Sequence, residues 1–166
     1  AGYQINNDMN GKNQEGFGLM DTTIYKGRRQ STSVTYLHPI IHRSNLKVLT
    51  NVTVNKIIFE NKRATGVECT INGKSNKFYS NQEILLSAGA INSPHLLMLS
   101  GIGPENELKK HDIEPVECLE GVGENLQDHL ETYVQYECKK PVTLYSAQNP
   151  IRMAFIGIEW FLFKSG

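Results

Sequence analysis

Several features that mark specialised protein classes are missing from this sequence. Acidic and basic side chains balance at 17 each, a formal net charge of +0. A balanced chain has no basic field to draw in nucleic acid or an anionic membrane surface, which argues against nucleic-acid binding. Cysteine is scarce: Cys69, Cys118 and Cys138 form neither a CxxC pair nor a zinc pattern. An odd, scattered set reads as reduced thiols and excludes a secreted disulfide scaffold. No apolar run is long enough to cross a bilayer, and the most apolar stretch, Met153 to Phe163, carries Glu159. No charged-then-apolar leader pattern opens the sequence. His38, His42, His95 and His111 lack ligand spacing, so no metal is assigned. Repeats and low-complexity tracts are absent as well.

What remains has the composition of a globular protein, with 39% hydrophobic and 20% charged residues in a chain of 166. That length suffices for one ordinary domain with its own core. Residues 1 to 18, rich in Gly, Asn and Gln, read as a loop. Leu19 to Tyr25 fits a strand, Lys26 to Arg29 a turn, and Ser31 or Thr32 caps a short helix that Pro39 stops. Leu46 to Thr50 reads as a further strand. Val52 to Phe59, Ala64 to Ile71 and Lys77 to Ser80 read as an antiparallel meander, with turns at Asn61-Lys62-Arg63 and Asn72-Gly73. Beyond the meander the pattern predicts helices over Glu105 to His111 and Ala154 to Leu162. Strands are expected at Ile113 to Val116 and Thr132 to Glu137, with a glycine-bearing loop over Gly121 to His129.

The segment from Ile84 to Gly103 carries the most chemical information. Ile84-Leu85-Leu86 is a continuous apolar run, the pattern of a strand buried on both faces of a parallel sheet. It ends in small residues at Ala88-Gly89-Ala90. A helix then begins, with Asn92 or Ser93 as its cap, Pro94 at its first position and Gly101 after its end. Small residues let backbone approach a flat or phosphorylated ligand, and a helix N-terminus offers free N–H groups. Doubly wound folds hold nucleotide cofactors in this way. On pattern alone, a tight strand-to-helix connection without a ligand fits equally well.

The run Gly89-Ala90-Ile91-Asn92-Ser93-Pro94-His95-Leu96-Leu97-Met98-Leu99-Ser100-Gly101-Ile102-Gly103 matches, at every constrained position, the second signature of the glucose–methanol–choline (GMC) oxidoreductases. Other stretches resemble counterparts in the choline-oxidising members of that family. They are Gln14 to Gly18, Lys26 to Arg29, Gly121 to His129, Val134 to Tyr136, Pro141 to Tyr145 and Gly157 to Trp160. The resemblance covers essentially the whole chain and implies that the chain is the middle of a longer protein.

The resemblance implies an α/β protein that combines part of an FAD-binding doubly wound domain with part of an antiparallel-sheet substrate domain. Residues 1–45 would flank the flavin on the substrate side. Residues 46–125 would belong to the FAD-binding domain, and residues 126–166 would begin the substrate domain. By the same resemblance, the main chain at Val54 contacts the adenine, and Ser87, Ala88 and Gly89 lie where the sheet reaches the cofactor. Asn125 and Asp128 shape a loop near the flavin. Glu131, two residues after His129, corresponds to the carboxylate that faces the trimethylammonium of choline. That group has no N–H to donate and is recognised by negative charge and aromatic faces. Without the resemblance, a glutamate there would read as an exposed strand-edge residue.

His129 is read as a structural residue, because the family's catalytic histidine lies in a segment beyond this sequence. So does the Gly-x-Gly-x-x-Gly loop that holds the FAD pyrophosphate, for which Gly101-Ile102-Gly103 is no substitute. No catalytic residue is therefore assigned, and this piece alone is expected to be inactive. Arg28 and Arg29 are read as a solvated turn, Trp160 and Phe161 as helix packing. The implied reaction is oxidation of choline to betaine aldehyde, towards glycine betaine, with electrons passed to a respiratory acceptor. Mitochondrial localisation at the inner membrane is implied for the longer protein. The readings that compete are a family member acting on another alcohol, and a truncated module without catalysis.

Overall fold

A computed structural model describes residues 2–140 and 142–164. Pro141, quoted above for the family resemblance, lies outside the described residues. The chain forms two compact units, Val48–Tyr133 and the segments on either side of it.

In the first flanking segment the Gly/Asn-rich stretch is a loop, as expected. It is pinned by one bridge, Ile5 to Phe17. Asn6 Nδ2 also donates to the carbonyl oxygens of Asn13 (2.7 Å) and Glu15 (3.2 Å). The strand expected from Leu19 shrinks to β1 (Ile24–Tyr25), paired with β2 (Arg28–Arg29). Lys26 and Gly27 join them at φ 49° and 67°, the left-handed pair a tight hairpin requires. Arg28 and Arg29 are thus strand residues, not turn residues. Ser31 Oγ accepts the N–H of Val34 at 3.3 Å, which starts a wide helical turn over Ser33–Leu37. Pro39 does not stop the chain there. It lies in the first turn of a tighter helix, His38–Ile40, where a missing N–H is tolerated.

The central unit is built on the predicted meander. β3 (Val52–Glu60), β4 (Arg63–Ile71) and β5 (Lys74–Tyr79) pair antiparallel in that order. Asn61-Lys62 and Asn72-Gly73 turn the chain with all four φ angles positive. Glu68 on β4 lies between Lys56 of β3 (4.0 Å) and Lys77 of β5 (3.9 Å). Leu46 to Thr50 is not a strand: Asn51, at φ 56°, turns the backbone between it and β3. Glu83 to Ser87 is extended but has no ladder partner among the described residues. Burial on both faces requires neighbours on both sides. Here Ile84 and Leu86 are half-buried and Leu85 is 80% exposed.

α1 (Gly89–Leu99) follows at once. Its cap differs from the expectation. Ala88 is the capping residue and Pro94 lies inside the helix. Ser93 Oγ reaches back to accept the Ala88 N–H at 3.1 Å, so the hydroxyl serves the helix start from within. Gly101, at φ 84°, ends the helix as predicted. A side chain there would meet the Glu114 carbonyl oxygen at 2.6 Å. β6 (Ile102–Gly103), α2 (Glu105–Lys110) and β7 (Glu117–Cys118) complete the unit, with β6 and β7 parallel. The strand expected at Ile113 to Val116 forms later than predicted. The N–H groups of Val116 and Glu117 both seek the Gly101 carbonyl, and this anchors the ladder at 117. Ile57, Cys69 and Leu108 are buried apolar residues among those described, joined by the polar Ser100. Ser100 Oγ accepts the Ile57 N–H at 2.8 Å and donates to the Leu96 carbonyl at 2.6 Å, tying α1 to β3.

In the closing segment, Thr132 to Glu137 forms no ladder among the described residues. α3 (Pro150–Phe163) starts four residues before the predicted Ala154. Asn149 Oδ1 accepts the N–H groups of Ile151 (3.0 Å) and Arg152 (3.3 Å). Pro150 stands at the first position, the arrangement a helix start favours. Trp160 Nε1 donates to the Gly27 carbonyl at 2.6 Å, with the Lys164 ammonium 4.1 Å from its ring. Phe161, read as a packing residue, is instead 72% exposed.

Candidate functional site

α1 separates two clefts within the central unit. On one flank, the start of β3, the segment 84–88 and α1 border a cleft of about 910 Å³. This is within the roughly 300–1,000 Å³ usual for ligand sites. Val54, Ser87 and Ala88 all line it, so three of the predicted cofactor residues, far apart in sequence, meet on one cleft. Its other walls are largely apolar, Ile57, Val67, Leu96 and Leu99 among them, with Thr53, Asn55, Asn92 and His95 as further polar side chains in the lining. Asp, Glu, Lys and Arg are missing from the lining. Such a surface suits an uncharged flat heterocycle and repels an isolated ion, which would lose its hydration there.

Gly89 sits at the head of α1 with φ 90°, and nothing lies within 4 Å of where its Cβ would be. Glycine is required there by conformation, and the space it leaves is open. The first N–H groups of α1 lack carbonyls one turn earlier in the helix, and the Ala88 N–H is taken by Ser93. The cleft's chemistry therefore fits the adenine side of a dinucleotide, with close backbone approach at 87–88; Gly89 itself lies outside the cleft's lining.

On the other flank, Asn125 lines a second cleft of about 550 Å³ with Ala90, Pro94, Met98 and Gly123. Asn125 is itself left-handed, φ 56°, which bends the 121–129 loop along the helix. Asp128 borders neither cleft; its Oδ1 accepts the His129 N–H at 2.8 Å. That bond is local and turns the aspartate towards the backbone, as a loop-shaping residue does. Glu131 also lies outside both clefts and is exposed. Its Oε2 accepts the Tyr133 hydroxyl at 2.6 Å. The bond to Glu131 holds the Tyr133 hydroxyl above the ordinary tyrosine pKa, with desolvation adding to the rise.

Sequence reasoning missed Tyr133, although the signal was present: two residues apart in extended chain, Glu131 and Tyr133 project to one side. It also missed Asn92 and His95 as lining residues. His95 borders both clefts, a position set by the helix period. Among the described residues no group of three or more His, Cys, Asp or Glu could hold a metal ion. None of the described helices is long and apolar enough to cross a membrane.

Comparison with known proteins places the sequence among relatives. The profile of the GMC oxidoreductase family matches residues 1–131. Over 161 residues the chain is 55% identical to the human mitochondrial choline dehydrogenase, covering 96% of this chain and 27% of that protein. It is 49% identical to the oxygen-dependent choline dehydrogenase of Brucella ovis, covering 100% of this chain and 30% of that protein. The chain thus spans less than a third of the length of the curated relatives it matches. Among solved structures, it superposes on an FAD-dependent oxidoreductase from Chaetomium thermophilum with a TM-score of 0.70. That match has 28% identity over 85% of this chain and 25% of the other.

Proposed function

The chain belongs to the GMC oxidoreductases, and on that premise we propose that it is part of an FAD-dependent dehydrogenase that oxidises choline to betaine aldehyde. What carries the substrate reading is identity of 49–55% along the chain to relatives named for choline. The cleft shared by Val54, Ser87 and Ala88 supports the cofactor reading.

The chain's residues divide the work. The main chain at Val54 would contact the adenine of FAD, and Ser87, Ala88 and Gly89 would hold the cofactor where the segment before α1 reaches it. Asn125 and Asp128 set the course of the loop that runs past the flavin. Glu131 supplies the negative charge that orients the trimethylammonium head and so aims the hydroxyl-bearing carbon. FAD held by these residues would supply the hydride acceptor for the alcohol carbon. No residue of this chain is assigned the hydroxyl proton, which falls to a base elsewhere in the longer protein. We place that protein in the mitochondrion, at the inner membrane, as the human relative's name and the family resemblance support. Its electrons go to a respiratory acceptor.

The test is anaerobic bleaching of the flavin spectrum in the longer, flavin-loaded protein that carries this chain. Choline should bleach it while a panel of neutral alcohols does so far more slowly. Bleaching by the neutral alcohols alone would leave the family standing and remove choline. Failure of the protein to retain FAD would remove the enzymatic reading.

A further inference from the structure

We propose that Tyr133 is the positioning residue for Glu131, and that the two act as one recognition unit for a quaternary ammonium group. The inference rests on the choline reading above and extends it to a residue to which that reading gives no role.

The starting observation is the 2.6 Å bond from the Tyr133 hydroxyl to Glu131 Oε2. Both residues lie in the irregular stretch after the 121–129 loop and both are exposed. A free glutamate on such a stretch samples many rotamers, and ordering it on binding costs conformational entropy. A short bond to a phenol on the same side selects one rotamer in advance. It also consumes little of the carboxylate's capacity, which extends to about four lone-pair sites. The oxygens can therefore hold the phenol and still present negative charge to a cation.

The chemistry of the ligand decides whether that arrangement survives binding. A primary ammonium donates N–H groups and competes with the phenol for the same oxygens. A trimethylammonium has no N–H, so the phenol–carboxylate bond persists beneath it. The head group then meets a fixed negative charge and, next to it, an aromatic face of the kind that attracts such cations. The upward shift of the Tyr133 hydroxyl agrees with the geometry, since it keeps the phenol a donor across the working pH range.

The experiment measures the ratio of kcat/KM for choline to that for its uncharged carbon isostere, 3,3-dimethylbutan-1-ol, on the flavin-loaded full-length protein. Tyr133→Phe should lower the ratio about fivefold to tenfold, less than is usual for a bond to a charged group because the pair is exposed. Tyr133→Leu, which also removes the ring, should lower it further. In a Glu131→Gln background, Tyr133→Phe should add almost nothing, because the two residues act through one contact. FAD content, measured on every variant, separates these effects from misfolding. An unchanged ratio in Tyr133→Phe alongside a fallen one in Glu131→Gln overturns the inference and leaves the choline reading intact. Independent, multiplying effects of the two substitutions overturn it as well. A ratio unmoved by Glu131→Gln removes the choline reading itself.

Discussion

Replacing Ser100 with alanine should loosen one identifiable amide, that of Ile57. The Ser100 hydroxyl bonds twice, accepting from Ile57 N–H at 2.8 Å and donating to the Leu96 carbonyl at 2.6 Å. The second loss is partly covered, because the Ser100 N–H already donates to the same carbonyl at 3.1 Å. The first is not covered. Ile57 is 7% exposed, so its amide would be stranded away from water. An orphaned buried donor costs about 1–3 kcal/mol. Hydrogen exchange under native conditions reads this directly, since local opening energies set amide protection. A cost of about 1–3 kcal/mol corresponds to roughly a 5- to 150-fold faster exchange at Ile57. Peptides from β4 and β5, farther from the hydroxyl, should change much less. Ser100→Thr keeps the oxygen and should retain most of the protection. Unchanged Ile57 exchange in Ser100→Ala would refute the account, and so would a uniform rise across the whole sheet.

Two glycines of the signature should respond differently to alanine. Gly101→Ala places a Cβ 2.6 Å from the Glu114 carbonyl at φ 84°, so it should destabilise the protein by about 2–4 kcal/mol, read as a lowered Tm. Gly89→Ala meets no neighbour and carries only the backbone penalty, about 1–2 kcal/mol. Its larger effect should fall on FAD retention, and full retention would assign Gly89 to conformation alone. Asn149→Ala should cost about 1 kcal/mol in α3 through two lost cap bonds, seen as faster exchange at Ile151 and Arg152. The bond to Glu131 raises the Tyr133 pKa, so its contribution is present below the ordinary tyrosine value near ~10. It is lost as pH rises through the raised value. Preference for choline over its isostere should therefore be level through neutral pH and fall in strong alkali, and Tyr133→Phe should abolish that fall.

The elements most legible in the sequence were those whose bonds are local. Asn61-Lys62 and Asn72-Gly73 announce hairpins because left-handed turn residues are few, and the meander formed around them, with β5 starting at Lys74 rather than at the expected Lys77. α1 and its glycine stop were legible for the same reason. Its start was not, because the reading placed the cap at the first polar residue. The chain instead caps at Ala88 and bends Ser93 back to serve it. Glu83 to Ser87 and Thr132 to Glu137 were read as strands from composition, but a strand exists only with a partner, and composition names none. α3 was placed late because apolar density drew attention to Ala154 and away from the Asn149-Pro150 start. Of the candidate site, the meeting of Val54 with Ser87 and Ala88 came from resemblance. No periodicity could have joined residues some 30 positions apart.

The 15-residue signature is physically two motifs laid end to end. Its front, at Gly89, opens onto empty space and, under the proposed function, answers to a ligand. Its rear, from Ser100 to Gly103, is crowded: Ser100 ties down a strand, Gly101 has a carbonyl against it, and a Cβ at Gly103 would meet Met98 at 2.8 Å. On that reading the two ends would answer to different selective pressures. A descendant that had abandoned its flavin would be free to drift at the front while the rear stayed frozen by folding. Sequence surveys that score the motif as a single unit would then count such a descendant as a flavoprotein, so the front alone should be weighed when a lost cofactor is suspected.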